Sequence, residues 1–311
     1  MKDTGPMISV CIPTYNYGHF LPETIQSVLS QTYKNFELII VDNCSMDDTS
    51  DIVARFQKED PRIMYRRNGT NLGMAENWNR CLEYATGEYI KILCADDLLE
   101  PTCLEACLNA LECHPEVALV AGMRILTDAY LRETGTLSYS NVLRQVTGEG
   151  INRMCFFEGN VIGEPTAVIF RKRDAGRGFK AEYKQLVDME MWMHILEKGD
   201  FLFLPIPVCR FRQHAEQGTK NSIRSFAVVD DLLRLYRDYI HKEYLGDTFI
   251  NRERWRYRLA RDIWEHRHYG LDVRVVIRKM KTYYPFALFL ILHSFRYTVR
   301  LFRRGFRRIV L

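Results

Sequence analysis

Short, β-branched apolar runs alternate with helical patterns through roughly the first 126 residues, and this rhythm narrows the fold more than any other feature. Met7–Pro13 (MISVCIP) and Phe36–Asp42 (FELIIVD) are bounded by polar residues and read as buried strands. Between them, Pro22–Gln31 carries Ile25, Val28 and Leu29 at helical spacing, and Pro22 suits a first helical turn. The pattern continues as a helix over Asp47–Lys58, a strand over Arg62–Arg66, a helix over Met74–Tyr84 and a strand over Glu88–Leu93. A helix over Thr102–Cys113 and a strand over Val117–Leu126 complete it. Such alternation predicts an α/β fold: a mostly parallel, Rossmann-like sheet with helices on both faces. Residues 128–163 fit neither period. Beyond them, Thr166–Phe170 reads as a strand, Leu186–Glu197 as a helix and Phe201–Phe211 as a strand pair or one long strand. From about Ser222 the pattern is helical, with Ile223, Phe226, Val229, Leu233, Tyr236 and Ile240 on one stripe. A boundary between Gln217 and Ser222 divides an α/β domain, 1–217, from a helical C-terminal region, 218–311.

The 311 residues are 47% hydrophobic and 26% charged, which excludes a disordered or collagen-like chain. The net charge of +4 is uneven. Residues 271–311 hold ten Lys/Arg against the single acid Asp272, so the remainder is net acidic and is no general nucleic-acid binder. The nine cysteines form no CxxC pair and no ligand-spaced set, a distribution that suits reduced thiols in the cytoplasm. Met1–Pro6 is short and polar, so no secretory leader is expected, and no run of about twenty apolar residues exists to span a membrane.

In an open α/β sheet, ligands bind beyond the carboxyl ends of the strands. Pro13, Thr14, Tyr15 and Asn16 follow the first strand; Asp42, Asn43, Cys44, Ser45 and Asp47 end or follow the second. Cys94, Ala95, Asp96 and Asp97 follow the Glu88–Leu93 strand. Singly, each acid reads equally well as a helix or turn cap. Together, paired carboxylates at a strand end call for a cation, and a hard divalent ion bridging to substrate phosphates is the natural one. There is no GxGxxG after a strand and no GxxxxGK[ST], so a glycine cradle for phosphates is absent.

The run ISVCIPTYNYGHFLPETIQSVLSQTYKNFELIIVDNCSMDDT resembles the opening of a family 2 glycosyltransferase of the GT-A fold. NLGMAENWNRCLEYATGEYIKILCADDLLEP resembles the same family's approach to its metal-binding DxD segment. The likeness covers roughly residues 7–215. It implies an inverting enzyme that moves a sugar from a nucleotide-diphosphate sugar, by default a UDP-sugar, to an acceptor hydroxyl with Mn2+ or Mg2+ as cofactor. Pro13, Thr14, Tyr15 and Asn16 match the first nucleotide-contacting turn, and Asp42 matches the acid that contacts the base. Where the family often continues Asp-Gly-Ser, this chain has Asn43-Cys44-Ser45. Asp96 matches the last acid of DxD, a metal ligand, whereas Cys94 stands in place of the first acid. Asp188, four residues before Trp192 in LVDMEMWMHILEKG, matches the catalytic base; Glu190 lies at another offset, and a helix cap is the alternative for Asp188. In FRQHAEQGT, His214 matches a second metal or diphosphate contact, and Arg212 a residue favouring the diphosphate charge. Asp97 and Trp192 are candidates for the acceptor side. Glu164, in GEPTAVIFRK, fits either an acceptor contact or a pair with a local base.

Leu288, Leu292, Phe295, Val299, Phe302, Phe306 and Ile309 share a helical stripe beside Arg296, Arg300, Arg303 and Arg307. Such a helix, over about 285–311, reads as one lying on an anionic membrane surface, with docking on the catalytic domain or a partner chain as the alternative. The expected partners are therefore a nucleotide-sugar donor, a glycan or lipid-linked acceptor and the inner face of the cell membrane. Two other functions stay in view. One is a non-catalytic GT-A-like membrane assembly subunit. The other is a sugar nucleotidyltransferase, disfavoured because Pro13–Asn16 lacks a Gly-rich basic loop.

Overall fold

The structure, a computed structural model, describes residues 5–215, 217, 226–269 and 272–294. The proposed boundary at 218–222, Ile223, and the tail from Phe295 onward lie outside them. The described residues fall into two compact units: 1–155 with 159–217, and 156–158 with 218–311.

The first unit is built on one sheet. β1 (Ile8–Thr14) pairs in parallel with β2 (Phe36–Asp42) and with β4 (Tyr89–Ile92), and β2 pairs in parallel with β3 (Ile63–Arg67). The helices between them are α1 (Leu21–Leu29), α2 (Thr49–Glu59) and α3 (Met74–Tyr84). β1 is buried along its whole length, as a parallel strand covered on both faces must be. Ile8, Val10 and Ile12 share a core with Leu21, Ile25 and Val28 of α1. Cys11, on the opposite face by the period of two, donates its thiol to Cys81 O of α3. Helices therefore cover both faces, as the alternation predicts.

After β4 come the two-residue β5 (Leu98–Leu99), α4 (Cys103–Cys113) and the long β6 (Val117–Thr127). The segment that fits neither period in the sequence contains β7 (Glu133–Leu137), β8 (Arg144–Val146) and α5 (Gly148–Glu158). β7 folds back antiparallel on β6 and is exposed at every residue, so it carries no apolar alternation. A 3-10 turn over Pro165–Ala167 then leads into β9 (Val168–Arg171), which runs antiparallel between β4 and β6. α6 (Lys172–Ala175), α7 (Val187–Ile195) and β10 (Asp200–Arg212) follow. β10 is one long strand with register shifts around Pro207, where a missing backbone N–H breaks the ladder. The strand order is β3-β2-β1-β4-β9-β6-β10-β5.

The second unit contains α8 (Ala227–Tyr239), α9 (Phe249–Glu265), α10 (Val273–Lys281) and a helical stretch over 286–294. α8 buries Val229, Leu232, Leu235 and Tyr239, while Leu233, Tyr236 and Ile240 are only partly buried. The inward stripe is thus turned by one residue from the sequence expectation. Leu232-Leu233 and Leu235-Tyr236 are adjacent apolar pairs, so spacing alone does not choose between the two faces.

Candidate active site

The sheet edge at the ends of β1, β2 and β4 is a hydrogen-bonded rim in two halves, joined by the loop after β1. In the first half, Asp42 ends β2 and is 1% exposed. Its Oδ1 accepts from Ser45 N (2.8 Å), its Oδ2 accepts from Tyr65 OH (2.6 Å), and Arg67 Nε lies 3.5 Å away. Burial, then the bond to Asp42, pushes the Tyr65 phenol far above its usual range, so it stays a donor. Asn16, in the left-handed region at φ 55°, donates its N–H to Ser45 Oγ and accepts from Met46 N, each at 2.8 Å. Asp47, one residue before the N-cap position at Asp48, ties the start of α2 to the β1 loop: it accepts from Thr49 Oγ1 (2.6 Å) and Gly18 N (2.9 Å). Pro13 is buried, Tyr15 is 45% exposed at the rim, and Thr14 Oγ1 is buried with no hydrogen-bond partner among the described residues.

The second half lies beyond β4. Asp96 Oδ2 and His214 Nε2 are 2.9 Å apart, and both residues are buried. The His214 ring packs at 5.7 Å from Tyr17 and 4.6 Å from Phe20, so the β1 loop that reaches Ser45 and Asp47 also contacts this pair. Asp97 is 1% exposed; its Oδ2 accepts from Thr166 Oγ1 (2.6 Å) and its Oδ1 from Arg212 N (2.9 Å). Asp97 is therefore held inside rather than presented to an acceptor, and it ties β4, the 165–167 turn and the end of β10 together. Burial, reinforced by Asp96, pushes its carboxyl well up. The Cys94 thiol is likewise pushed up by burial and by Asp97 and Asp96. The ligand atoms of Cys94, Asp96 and Asp97 lie within 4.8 Å of one another. Two crowded carboxylates beside an imidazole fit a hard divalent cation, whose charge would relieve their repulsion. Arg212, expected to face a diphosphate, instead has its guanidinium buried over the Phe20 ring (4.7 Å) and paired with Glu23 at 2.6 Å.

Asp188 lies in the first turn of α7. Its Oδ2 accepts from Asn160 Nδ2 (3.1 Å) and its Oδ1 from Met189 N (2.7 Å). Burial pushes the carboxyl up to about 7, and the charge of Glu164 adds to the rise. The N-cap position belongs to Leu186. Glu190 is fully buried and pairs with Arg177 and Lys180. Trp192 is fully buried against Phe170 and Phe179, and its indole N–H donates to Gly163 O at 3.0 Å. It supports the 160–164 loop from beneath and offers no face to an acceptor. That loop carries Glu164, which is two residues from Thr166 and raises the pKa of Cys94, Asp97 and Asp188 alike. The metal-type cluster and the candidate base thus share one electrostatic neighbourhood. Glu164 pairs not with a local base but with Arg124 (2.5 Å), 40 residues away; Arg124, Tyr65, Asn160 and Thr166 join the site with no local sequence signal, because their partners are distant in the chain.

The family model for glycosyl transferase family 2 matches residues 9–176, more than half of the chain. The chain belongs to that family. An uncharacterized protein of Mycobacterium tuberculosis, MT1568, is 34% identical over 211 residues, 64% of this chain and 65% of the relative. The crystal structure of S. aureus TarS 1–349 in complex with UDP-GlcNAc is 18% identical, with a TM-score of 0.58 over 83% of this chain and 81% of that one. The mannosyltransferase PcManGT from Pyrobaculum calidifontis, in complex with GDP-Man and Mn2+, gives 18% identity and a TM-score of 0.58 over 96% and 82%. At that identity both show the fold alone, and the family assignment comes from the sequence model.

Proposed function

We propose that this family 2 member transfers a sugar from a UDP-sugar to an acceptor hydroxyl with inversion at the anomeric carbon. The observation that carries the proposal is the Asp96–His214 pair beside Asp97, with Asp97 bonded to Thr166 and Asp188 to Asn160 at the two ends of the 160–166 turn. The solved neighbours hold UDP-GlcNAc and GDP-Man with Mn2+, which supports a nucleoside-diphosphate sugar as donor class. Asp42 and the β1 turn, Pro13–Asn16, would bind the nucleoside. Asp96 and His214 would hold a divalent cation, Mn2+ or Mg2+, which when bound supplies positive charge to the leaving diphosphate. Asp97 and Arg212 position that site, the first through Thr166, the second through its own N–H and Glu23.

Asp188 takes the proton from the acceptor hydroxyl while the oxygen bonds to the anomeric carbon. The bond from that carbon to the diphosphate oxygen breaks, and UDP leaves with the electron pair. A carboxyl of pKa about 7 is matched to this task near neutral pH. Asn160 aims it by hydrogen bonding one oxygen. A glycan or lipid-linked acceptor and a peripheral seat on the inner face of an anionic membrane complete the proposal. No helix among the described residues is long and apolar enough to cross a membrane. Leu288, Leu290 and Ile291, at the start of the arginine-rich tail, are 42%, 41% and 66% exposed, which suits an interfacial seat. Incubation with UDP-sugars, Mn2+ and a hydroxyl acceptor tests the reaction: a product of inverted configuration is expected, and a retained configuration would refute the single-displacement scheme.

A further inference from the structure

Glu164 is the one residue of the stretch 162–170 that is not buried. Its side chain is 35% exposed, whereas its partner Arg124 is 12% exposed. Only Oε2 is engaged, by Arg124 NH1 at 2.5 Å; Oε1 takes no hydrogen bond among the described residues. The backbone that carries it is fixed on both sides. Gly163 O accepts from both Trp192 Nε1 and Asn160 Nδ2, and Glu164 O accepts from Ala167 N at 2.9 Å. Gly163 itself has φ +128°, and a Cβ there would meet Arg124 NH1 at 2.6 Å, so the turn needs glycine. A rigidly mounted carboxylate with an open oxygen thus shares its turn with the partners of two other acids: Asn160, tied to the adjoining Gly163 O, bonds Asp188, and Thr166, two residues on, bonds Asp97. Such crowding is unfavourable unless something rich in donors joins it.

A cation is one answer, but Glu164 already has one in Arg124, and Glu164 is not in the cluster of ligand atoms formed by Cys94, Asp96 and Asp97. Sugar hydroxyls are the other. On the proposed reaction, the transferred sugar lies between the diphosphate at Asp96 and the acceptor hydroxyl at Asp188, and Glu164 sits in the turn whose Asn160 bonds Asp188 and whose Thr166 bonds Asp97, the neighbour of Asp96. We propose that Glu164 Oε1 accepts a hydrogen bond from a ring hydroxyl of the donor sugar and so selects and orients that sugar. This rests on the glycosyltransferase reading. Arg124 aims the carboxylate, and the Gly163 turn keeps it from swinging away.

The test compares Mn2+-dependent binding of UDP with that of a panel of UDP-sugars by calorimetry, without acceptor, in the wild type, Glu164→Gln and Glu164→Ala. The wild type should bind at least one UDP-sugar more tightly than UDP. Both variants should keep UDP affinity, which also proves that they fold, and lose that sugar preference by about tenfold or more, the size expected for a hydrogen bond to a charged acceptor. An unchanged sugar preference in the variants overturns the proposal. So does an equal weakening for UDP and UDP-sugar, which would assign Glu164 to the metal or diphosphate. So does a wild type that binds UDP but gains nothing from any sugar. A wild type that binds none of the nucleotides would instead refute the glycosyltransferase reading beneath it.

Discussion

Replacing Asp188 by Asn should stop transfer and stabilise the fold at the same time. Asn has no basic oxygen for the acceptor proton, so a loss on the order of 10²–10⁴ in kcat is expected. The stability change follows from the carboxyl pKa, raised from an ordinary 3.8 to about 7 by burial first and Glu164 second. At about 1.4 kcal/mol per pKa unit, holding the charged form in the folded chain costs up to about 4 kcal/mol above pH 7. Asp188 is only partly buried as a residue, and Asn has one acceptor oxygen for the two bonds from Asn160 and Met189 N, so a gain of about 1–3 kcal/mol, after the loss of one bond, is the realistic range. The sign fixes the pH window. A raised folded pKa means that the folded chain binds more protons than the unfolded chain between pH about 4 and 7. Wild-type stability therefore falls as pH rises through that window, and the advantage of the neutral amide appears only there and above. Urea denaturation of both proteins at pH 4.5 and pH 8 measures it. A variant no more stable than wild type at pH 8, or a gain of equal size at both values, would refute the burial argument.

Three other outcomes follow from the same geometry. The kcat/KM of the wild type should climb with pH to a midpoint near 7 as Asp188 loses its proton, and a pH–rate profile flat from 5.5 to 8.5 would count against Asp188 as base. Trp192→Phe removes the indole donor to Gly163 O; urea titration should register a loss of about 1–3 kcal/mol and turnover should drop as the 160–164 loop loosens, whereas an unchanged midpoint and rate would deny the support role. Full-length protein should float with anionic liposomes and a chain ending near Tyr284 should not; equal flotation of the two removes the proposed membrane seat.

The first strands and helices were legible because each carries one period cleanly: MISVCIP and FELIIVD are apolar runs of strand length, and Leu21, Ile25 and Val28 mark the inner side of α1. The meeting of candidate residues at their carboxyl ends was legible for the same reason, since topology alone brings Thr14, Asp42 and Asp96 to one edge. Antiparallel β9 was readable as a strand but not as the insertion between β4 and β6, because strand direction leaves no local pattern. β7 was invisible because ETGTL is exposed throughout. Side-chain orientation was the other blind spot. Asp97 and Trp192 occupy positions beside functional candidates, yet Thr166, Arg212 N and Gly163 O draw them inward. Arg212 shows the same effect, because Glu23 lies 189 residues away in the chain and only folding reveals the pair.

The most direct test of the central claim is calorimetric titration of UDP into wild type, Asp96→Ala and Asp188→Asn, each with and without Mn2+. If the acids at the strand ends form one donor site, wild type and Asp188→Asn bind UDP only when Mn2+ is present, and Asp96→Ala does not bind it in either case. Equal binding with and without the ion, or metal-dependent binding that survives Asp96→Ala, would contradict it.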